Sequence, residues 1–500
     1  MKKIFTLLLV AMTAVVARAT DYIVPVTVVV NDVTSEQLGE FSIVENDGLY
    51  DVSLKNFILD SENGPMGVGN VELKGIQPYQ DGKATLFVTE KEVTITDGDD
   101  PNVVYWMAGM LPPVNVLLRG KIEDEHLYMN LYIDLMETMD QIIQVTVGEG
   151  YQMPNPGFEL WHPSDETHVE PDGWHSFETA TGALAAFGGH HLTKSKNAHS
   201  GEACARIYSS SILGIVANGT MTTGRLNADA MIATDPANNA YLDTSMPELD
   251  GAGKPFYIPL YSRPDSIAVW VRFRQGSVNP DHPYANISAV ITDGTYYQDP
   301  EDKEYTNVVA KAKNDKIATT DGEWVRVTAP FVYTENDVEP QAILVTISTN
   351  ADAGQGSDGD EVLVDDIELI YNAKVTGLKI NGQDVPGFSP DVFEYEMELE
   401  QGVTTEDIEV VVEGQSTHVI KDVSFIDSNV CTVMALGGDM KHMSTYVIRE
   451  KGSGTGIRSI KTPAGQSAYY TLDGRQAKTL APGRIYIRRQ ADGTVTKVRL

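Results

Sequence analysis

Six of the ten histidines fall between positions 162 and 199: His162, His168, His175, His190, His191 and His199. Imidazoles this dense can hold a transition metal or move protons near neutral pH. Zinc needs three or four ligands converging on one point, often closely spaced on a regular element. No H-E-x-x-H is present, and His190 and His191, as neighbours, would point apart on a strand. The expectation is therefore ordinary polar loop histidines. The Gly-rich acidic run Asp352, Asp358, Asp360, Glu361 lacks the ligand spacing of an EF-hand and reads as a solvated loop. There is no nucleophile elbow, no P-loop and no dinucleotide loop. Gly452, Gly454 and Gly456 share the letters of such a loop but belong to a linker. A glycosidase needs only two suitably separated carboxylates. Among 71 acidic residues, none of them marked by a motif, the sequence nominates no pair.

Sugar recognition asks for flat aromatic rings beside polar side chains. On the strand beginning at Ser266, alternation sets Ile267, Val269, Val271 and Phe273 on one face, the obvious core. Ala268, Trp270, Arg272 and Arg274 lie on the other, so Trp270 and Arg272 are candidate sugar contacts. Tyr296 and Tyr297 follow Asp293-Gly294 and read as exposed loop candidates. Trp161, Trp174 and Trp324 are assigned to packing.

The whole-chain numbers bound the rest. A net charge of −34 argues against nucleic acid or anionic lipid as partner, since both need clustered Lys and Arg. The last 45 residues depart from this balance, with nine basic residues against two acidic ones. Five hundred residues exceed one core and imply several domains. Cys204 and Cys431 are too few for a disulfide framework and read as two buried thiols. Lys2 and Lys3, the apolar Ile4–Val16 stretch and Ala17-Arg18-Ala19 form a signal-peptide pattern over 1–19. No later segment is apolar for long enough to span a bilayer as a helix. Neither cysteine follows the apolar stretch, so the expected mature chain carries no lipid there.

Residues 20–148 alternate with a period of two, broken by Asn46-Asp47-Gly48, Asp81-Gly82 and Asp97-Gly98. About eight strand-like runs predict an up-and-down barrel. The Tyr22–Val30 and Leu118–Ile122 segments and the strand order resemble the calycin-like, lipocalin-like barrels of Bacteroidetes. Such a barrel either holds one small apolar ligand or is filled by its own side chains.

Residues 149–372 open with Asn155-Pro156-Gly157-Phe158-Glu159 and continue through Pro171-Asp172-Gly173-Trp174 and His199-Ser200-Gly201. They close with Val364-Asp365-Asp366-Ile367-Glu368-Leu369-Ile370-Tyr371. This order resembles jelly-roll carbohydrate-binding modules, and more closely the carbohydrate-metabolism domain family of Bacteroidetes. The resemblance implies adjacent first and last strands, which would bring Glu159 near Asp365 and Asp366. Calcium, a hard cation, would suit such oxygens in a structural role. Alternation allows only one of the two aspartates to point inward; the resemblance favours Glu159 with Asp366.

Residues 373–450, with Phe388-Ser389-Pro390-Asp391 and Phe393-Glu394-Tyr395, resemble the immunoglobulin-like or cadherin-like repeats of bacterial surface proteins. Residues 451–500 join a Gly/Ser linker to Leu472-Asp473-Gly474-Arg475, a Gly483-Arg484-Ile485-Tyr486 strand and a basic last strand. They resemble the C-terminal sorting domains read by the type IX secretion machinery, which would be a partner. The usual Gly-Ile-Tyr is replaced by Arg484-Ile485-Tyr486.

The expectation is an all-β chain: calycin-like barrel, jelly-roll sandwich, small immunoglobulin-like sandwich and short β tail. Its expected role is glycan binding at the cell surface or outside the cell, without catalysis. A carbohydrate-active enzyme using two jelly-roll carboxylates, and a purely structural or adhesive surface protein, are the alternatives.

Overall fold

The computed structural model describes residues 18–30, 33–59, 66–135, 141–212, 214–400, 402–425 and 429–451, with the strand residues 468–470, 485–489 and 495–499. The signal-peptide stretch before Arg18 and most of the linker and sorting motif lie outside the described residues. The protein is all-β, as expected, with short 3-10 turns such as Phe177–Thr179. No described helix is long and apolar enough to cross a membrane.

The chain divides into two compact units. The first takes Met1–Thr27, Glu36–Asp134 and Val145–Val147. Its nine strands are β1 (Arg18–Val30), β2 (Val33–Asn46), β3 (Leu49–Leu59), β4 (Met66–Ile76), β5 (Pro78–Asp81), β6 (Ala84–Val93), β7 (Val114–Glu123), β8 (His126–Leu135) and β9 (Gln141–Val147). They form one sheet in the order β4-β3-β2-β1-β9-β8-β7-β6-β5. The sheet curls until β4 meets the chain just past β6. There Asn70 N donates to Thr96 O at 2.7 Å and Thr96 N returns to Asn70 O at 3.1 Å. Gly69, at φ 131°, permits that approach: a Cβ would stand 2.2 Å from Thr96 O. Val26, Phe41, Leu54, Leu73, Leu118 and Met129 are buried and fill the core. A cavity of about 210 Å³ remains between Tyr22, Glu45, Tyr50 and Thr85.

The second unit contains a sandwich of two antiparallel sheets. One runs Leu192–Ser195, Cys204–Tyr208, Glu361–Ile370, Ser266–Arg274, Val325–Pro330. The other runs Thr220–Thr222, Ala342–Ser348, Ala285–Thr292, Val308–Ile317, Val332–Tyr333. The alternating residues Ile267, Val269, Val271 and Phe273 face Ile287, Ala289, Ile291, Ile343 and Val345 in one core. Phe158 and Trp174 close it, with ring centroids 5.5 Å apart. A small sheet of Arg225–Ala228, Asn238–Leu242 and Tyr297–Asp299 contributes to a second core against Val290 and Leu344.

Beyond Tyr371, Lys374–Ile380 pairs with Gln383–Asp384 and Ile408–Glu413. Four further strands, Glu394–Met397, Met443–Glu450, Asn429–Leu436 and His418–Phe425, share a core with them. This is the small sandwich, with one departure: Glu394–Met397 runs parallel to Met443–Glu450. Polar bonds tie it to the jelly roll. Asp265 accepts from Asn372 N and Gln415 N, and Gln152 Nε2 donates to Asp439 at 3.0 Å. Ala468–Tyr470, Ile485–Arg489 and Val495–Arg499 form a three-stranded antiparallel sheet.

Candidate functional site

The Asn155–Glu159 motif is a turn held by its own first residue. Asn155, at φ 45°, accepts from Leu160 N through Oδ1 and donates to Leu160 O through Nδ2. Pro156 O accepts from Ile367 N, so the opening turn is fastened to the closing strand. Phe158 enters the core and Glu159 turns to the 201–203 loop, where Oε1 accepts from Glu202 N at 2.8 Å and Ala203 N at 3.1 Å.

The expectation that Asp365 and Asp366 point to opposite faces is corrected. Three residues of the Ser266–Arg274 strand, Ala268 to Trp270, oppose four of its partner, Asp365 to Glu368. The extra residue is a bulge with Asp366 at φ 44°. Both carboxylates consequently serve the same loop. Asp365 Oδ2 accepts from His199 N and Ser200 N, and its Oδ1 from Asp366 N. Asp366 takes Ser200 Oγ at 2.7 Å and His199 Nδ1 at 2.6 Å. Burial, then the Asp366 charge, push the Asp365 carboxyl up to about 7 against the pull of those three backbone donors.

Glu159, Asp365 and Asp366 all border the space over Gly157. A Cβ there would lie 3.6 Å from Asp366 Oδ1, 3.9 Å from Asp365 Oδ1 and 3.9 Å from Glu159 Cγ. This all-oxygen set suits calcium in kind. Asp366 Oδ1 and Asp365 Oδ1 each accept one protein hydrogen, leaving a second lone pair for a cation, whereas Glu159 Oε1 already accepts two.

On the outer face of the same sheet, Trp270 lies half-buried under His199. The two rings stack at 3.9 Å and 16°. Trp324 meets His199 edge-on at 5.8 Å, and the Arg272 guanidinium lies 5.9 Å over Trp324. Trp324, assigned to packing from the sequence, thus belongs to this surface group. Farther along, Glu361 binds Arg206 and Arg274. Burial opposes its ionisation, but these two hydrogen bonds hold its pKa down. Its neighbour Asp360 is buried and accepts from Gly276 N and Ser357 N, which corrects the solvated-loop reading at that residue, whereas Asp352 and Asp358 are exposed.

Tyr296 and Tyr297 part company. Tyr296 is 39% exposed, 5.8 Å from the Tyr241 ring, and its hydroxyl donates to Gln298. Tyr297 is 1% exposed in the second core. The expectation of an exposed Tyr297 fails because the Asn238–Leu242 strand pairs with Tyr297–Asp299 and turns that ring inward.

Sequence reasoning missed His199 and Trp324 as members of this surface group. Trp270, His199 and Trp324 come from three segments far apart in sequence, and only sheet pairing unites them.

No protein-family model matches the chain, and no curated protein matches it. Among solved structures, a Bacteroides thetaiotaomicron protein described as a candidate glycoside hydrolase is similar at 15% identity and a TM-score of 0.34, over 64% of this chain and 87% of that one. A structure of carbohydrate-binding modules from the β-sandwich superfamily is similar at 10% identity and a TM-score of 0.20, over 66% and 97%. Likenesses this shallow carry no argument about activity.

Proposed function

We propose that the protein binds glycans on the outer face of the five-stranded sheet and performs no catalysis of its own. One observation carries this reading: Trp324, His199 and Trp270 form a single ring cluster on that face, with the Arg272 cation over Trp324. A sugar ring would present its apolar C–H face to the aromatic edge and its hydroxyls to Arg272 and the aspartates. The site residues of the proposal are Trp270 and Arg272, with His199 and Trp324 added; Tyr296, beside Tyr241 on the small sheet that packs on the opposite side of the sandwich, stands apart from this face. The enzyme alternative is disfavoured at Asp365 and Asp366. A general acid must offer its proton to substrate, whereas both Asp365 oxygens are engaged by backbone N–H groups.

Calcium held by Glu159 and Asp366 belongs to the same proposal as a structural brace for the 199–203 loop. Export to the cell surface is also proposed, on the signal-peptide pattern and the basic tail. A glycan array probed with the full chain tests the reading. Binding that Trp324→Ala weakens supports it. A chain that binds no glycan, or whose binding ignores Trp324 and Arg272, overturns it.

A further inference from the structure

We infer a second site, for a divalent transition-metal ion, formed by His168, Glu178 and His190. These are the described residues whose His, Cys, Asp or Glu ligand atoms converge as a group of three, all within 4.8 Å of one another. The two imidazoles stack at 3.4 Å and 20°, with the Glu178 carboxylate beside their Nδ1 atoms. One carboxylate oxygen contacts His190 Nδ1 and the other is 3.9 Å from His168 Nδ1.

Three separate segments deliver the ligands, and each is anchored independently of any ion. His168 follows a turn built on Asp165, whose Oδ1 accepts from Thr167 N at 2.6 Å and His168 N at 2.7 Å. Asp165 Oδ2 takes the Nδ1 hydrogen of His168 at 2.7 Å. Nδ1 is also the nitrogen 3.9 Å from Glu178, so Asp165 orients the ring at the atom that faces the carboxylate, as carboxylates orient metal-binding imidazoles, and leaves Nε2 as the second possible ligand atom. Glu178 lies on the Phe177–Thr179 turn, capped by Ser176 Oγ. Its side chain is only 11% exposed. His190 is followed by the buried His191, whose Nδ1 bonds Tyr208 O at 2.7 Å.

The donor set selects the ion. Two imidazoles and one carboxylate suit zinc, nickel, copper or cobalt, whereas calcium and magnesium want oxygen alone. Zinc bonds of about 2.0–2.2 Å require ligand atoms closer than the present spread. His190, 49% exposed, has the freedom to swing in. The bound ion would pin the turn at Asp165, the Phe177–Thr179 turn and the approach to Leu192–Ser195. Its place, apart from the Trp324 group and from Glu159, makes it independent of the glycan proposal.

The test uses the full chain, freed of metal and titrated with zinc by calorimetry in excess calcium. One zinc per chain is expected, with a higher melting temperature. His190→Ala, an exposed position that leaves the fold alone, should weaken binding about tenfold or more, as should Glu178→Gln. His282→Ala, a histidine paired with Asp352 elsewhere, should change nothing. No zinc binding, unchanged affinity in both His190→Ala and Glu178→Gln, or full displacement by calcium would each overturn the site.

Discussion

The His199 ring stacks on Trp270 at 3.9 Å while its Nδ1 donates to Asp366 Oδ2 at 2.6 Å. A single imidazole therefore couples the acidic turn to the aromatic face. Trp270 has one ring face already covered, so an arriving sugar meets His199 and Trp324 first. Trp324→Ala should weaken glycan binding by roughly 1–3 kcal/mol, the range of single stacking losses, with melting unchanged. Trp270→Ala should lower both affinity and melting temperature, because it also removes the support of His199. Calorimetry beside thermal denaturation separates the two variants; equal effects would place both rings in the same role.

Calcium should be legible in the same loop. Adding EGTA should lower the melting temperature and calcium should restore it, whereas zinc should not. Glu159→Gln keeps one oxygen for the backbone donors of residues 202 and 203 but loses the charge, and it should abolish the response. Indifference of the wild-type protein to EGTA would remove calcium from Glu159 and Asp366.

The join between the jelly roll and the small sandwich should respond to pH through Asp439 and His442. The hydrogen bond from Asp439 is the first cause that raises the His442 pKa. Burial opposes ionisation of Asp439, yet His442, Gln152 and the Lys441 N–H lower its pKa on balance. A raised histidine stabilises fully below its unfolded value, about 6.5, and the gain is lost as pH rises through the folded value. The lowered Asp439 stabilises above about 3.9 and the gain is lost as pH falls through its folded value. His442→Gln should flatten the decline of melting temperature on the alkaline side of 6.5 and, by removing one cause of the lowered Asp439 value, also reduce the loss on the acid limb. An unchanged alkaline profile would show that the pair contributes nothing there.

Both thiols should be silent in the native protein. Burial pushes Cys204 up to about 12 and Cys431 up to about 11, and both side chains are covered. Since the thiolate is the reactive form, iodoacetamide at pH 8 should label neither until denaturant is added, then both. Labelling of the folded chain would mean that one of these strands opens readily.

Export can be checked by deleting residues 456–500. A folded protein retained in the periplasm, with its melting temperature unchanged, is the expected result. Equal surface exposure with and without those residues would refute the sorting role.

Much of the architecture was legible in local pattern. The period of two along Ile267, Val269, Val271 and Phe273 assigned a core face correctly, because side-chain alternation is a property of any extended strand. Motif order placed Glu159 near the closing strand, since the opening turn and the Glu361–Ile370 strand are joined through Pro156 O and Ile367 N. What period and motif could not supply was decided by pairing between distant segments. A bulge opposite Trp270 put Asp365 and Asp366 on one loop, a change of a single residue in register that alternation cannot foresee. A covering sheet buried Tyr297 and left its neighbour Tyr296 at the surface. His168 and His190 read as unrelated loop residues until the turn at Asp165, the cap at Ser176 and the buried His191 carried them to one carboxylate. Local chemistry sets what each residue can do, but the distances between groups far apart in the chain exist only once the sheets have packed.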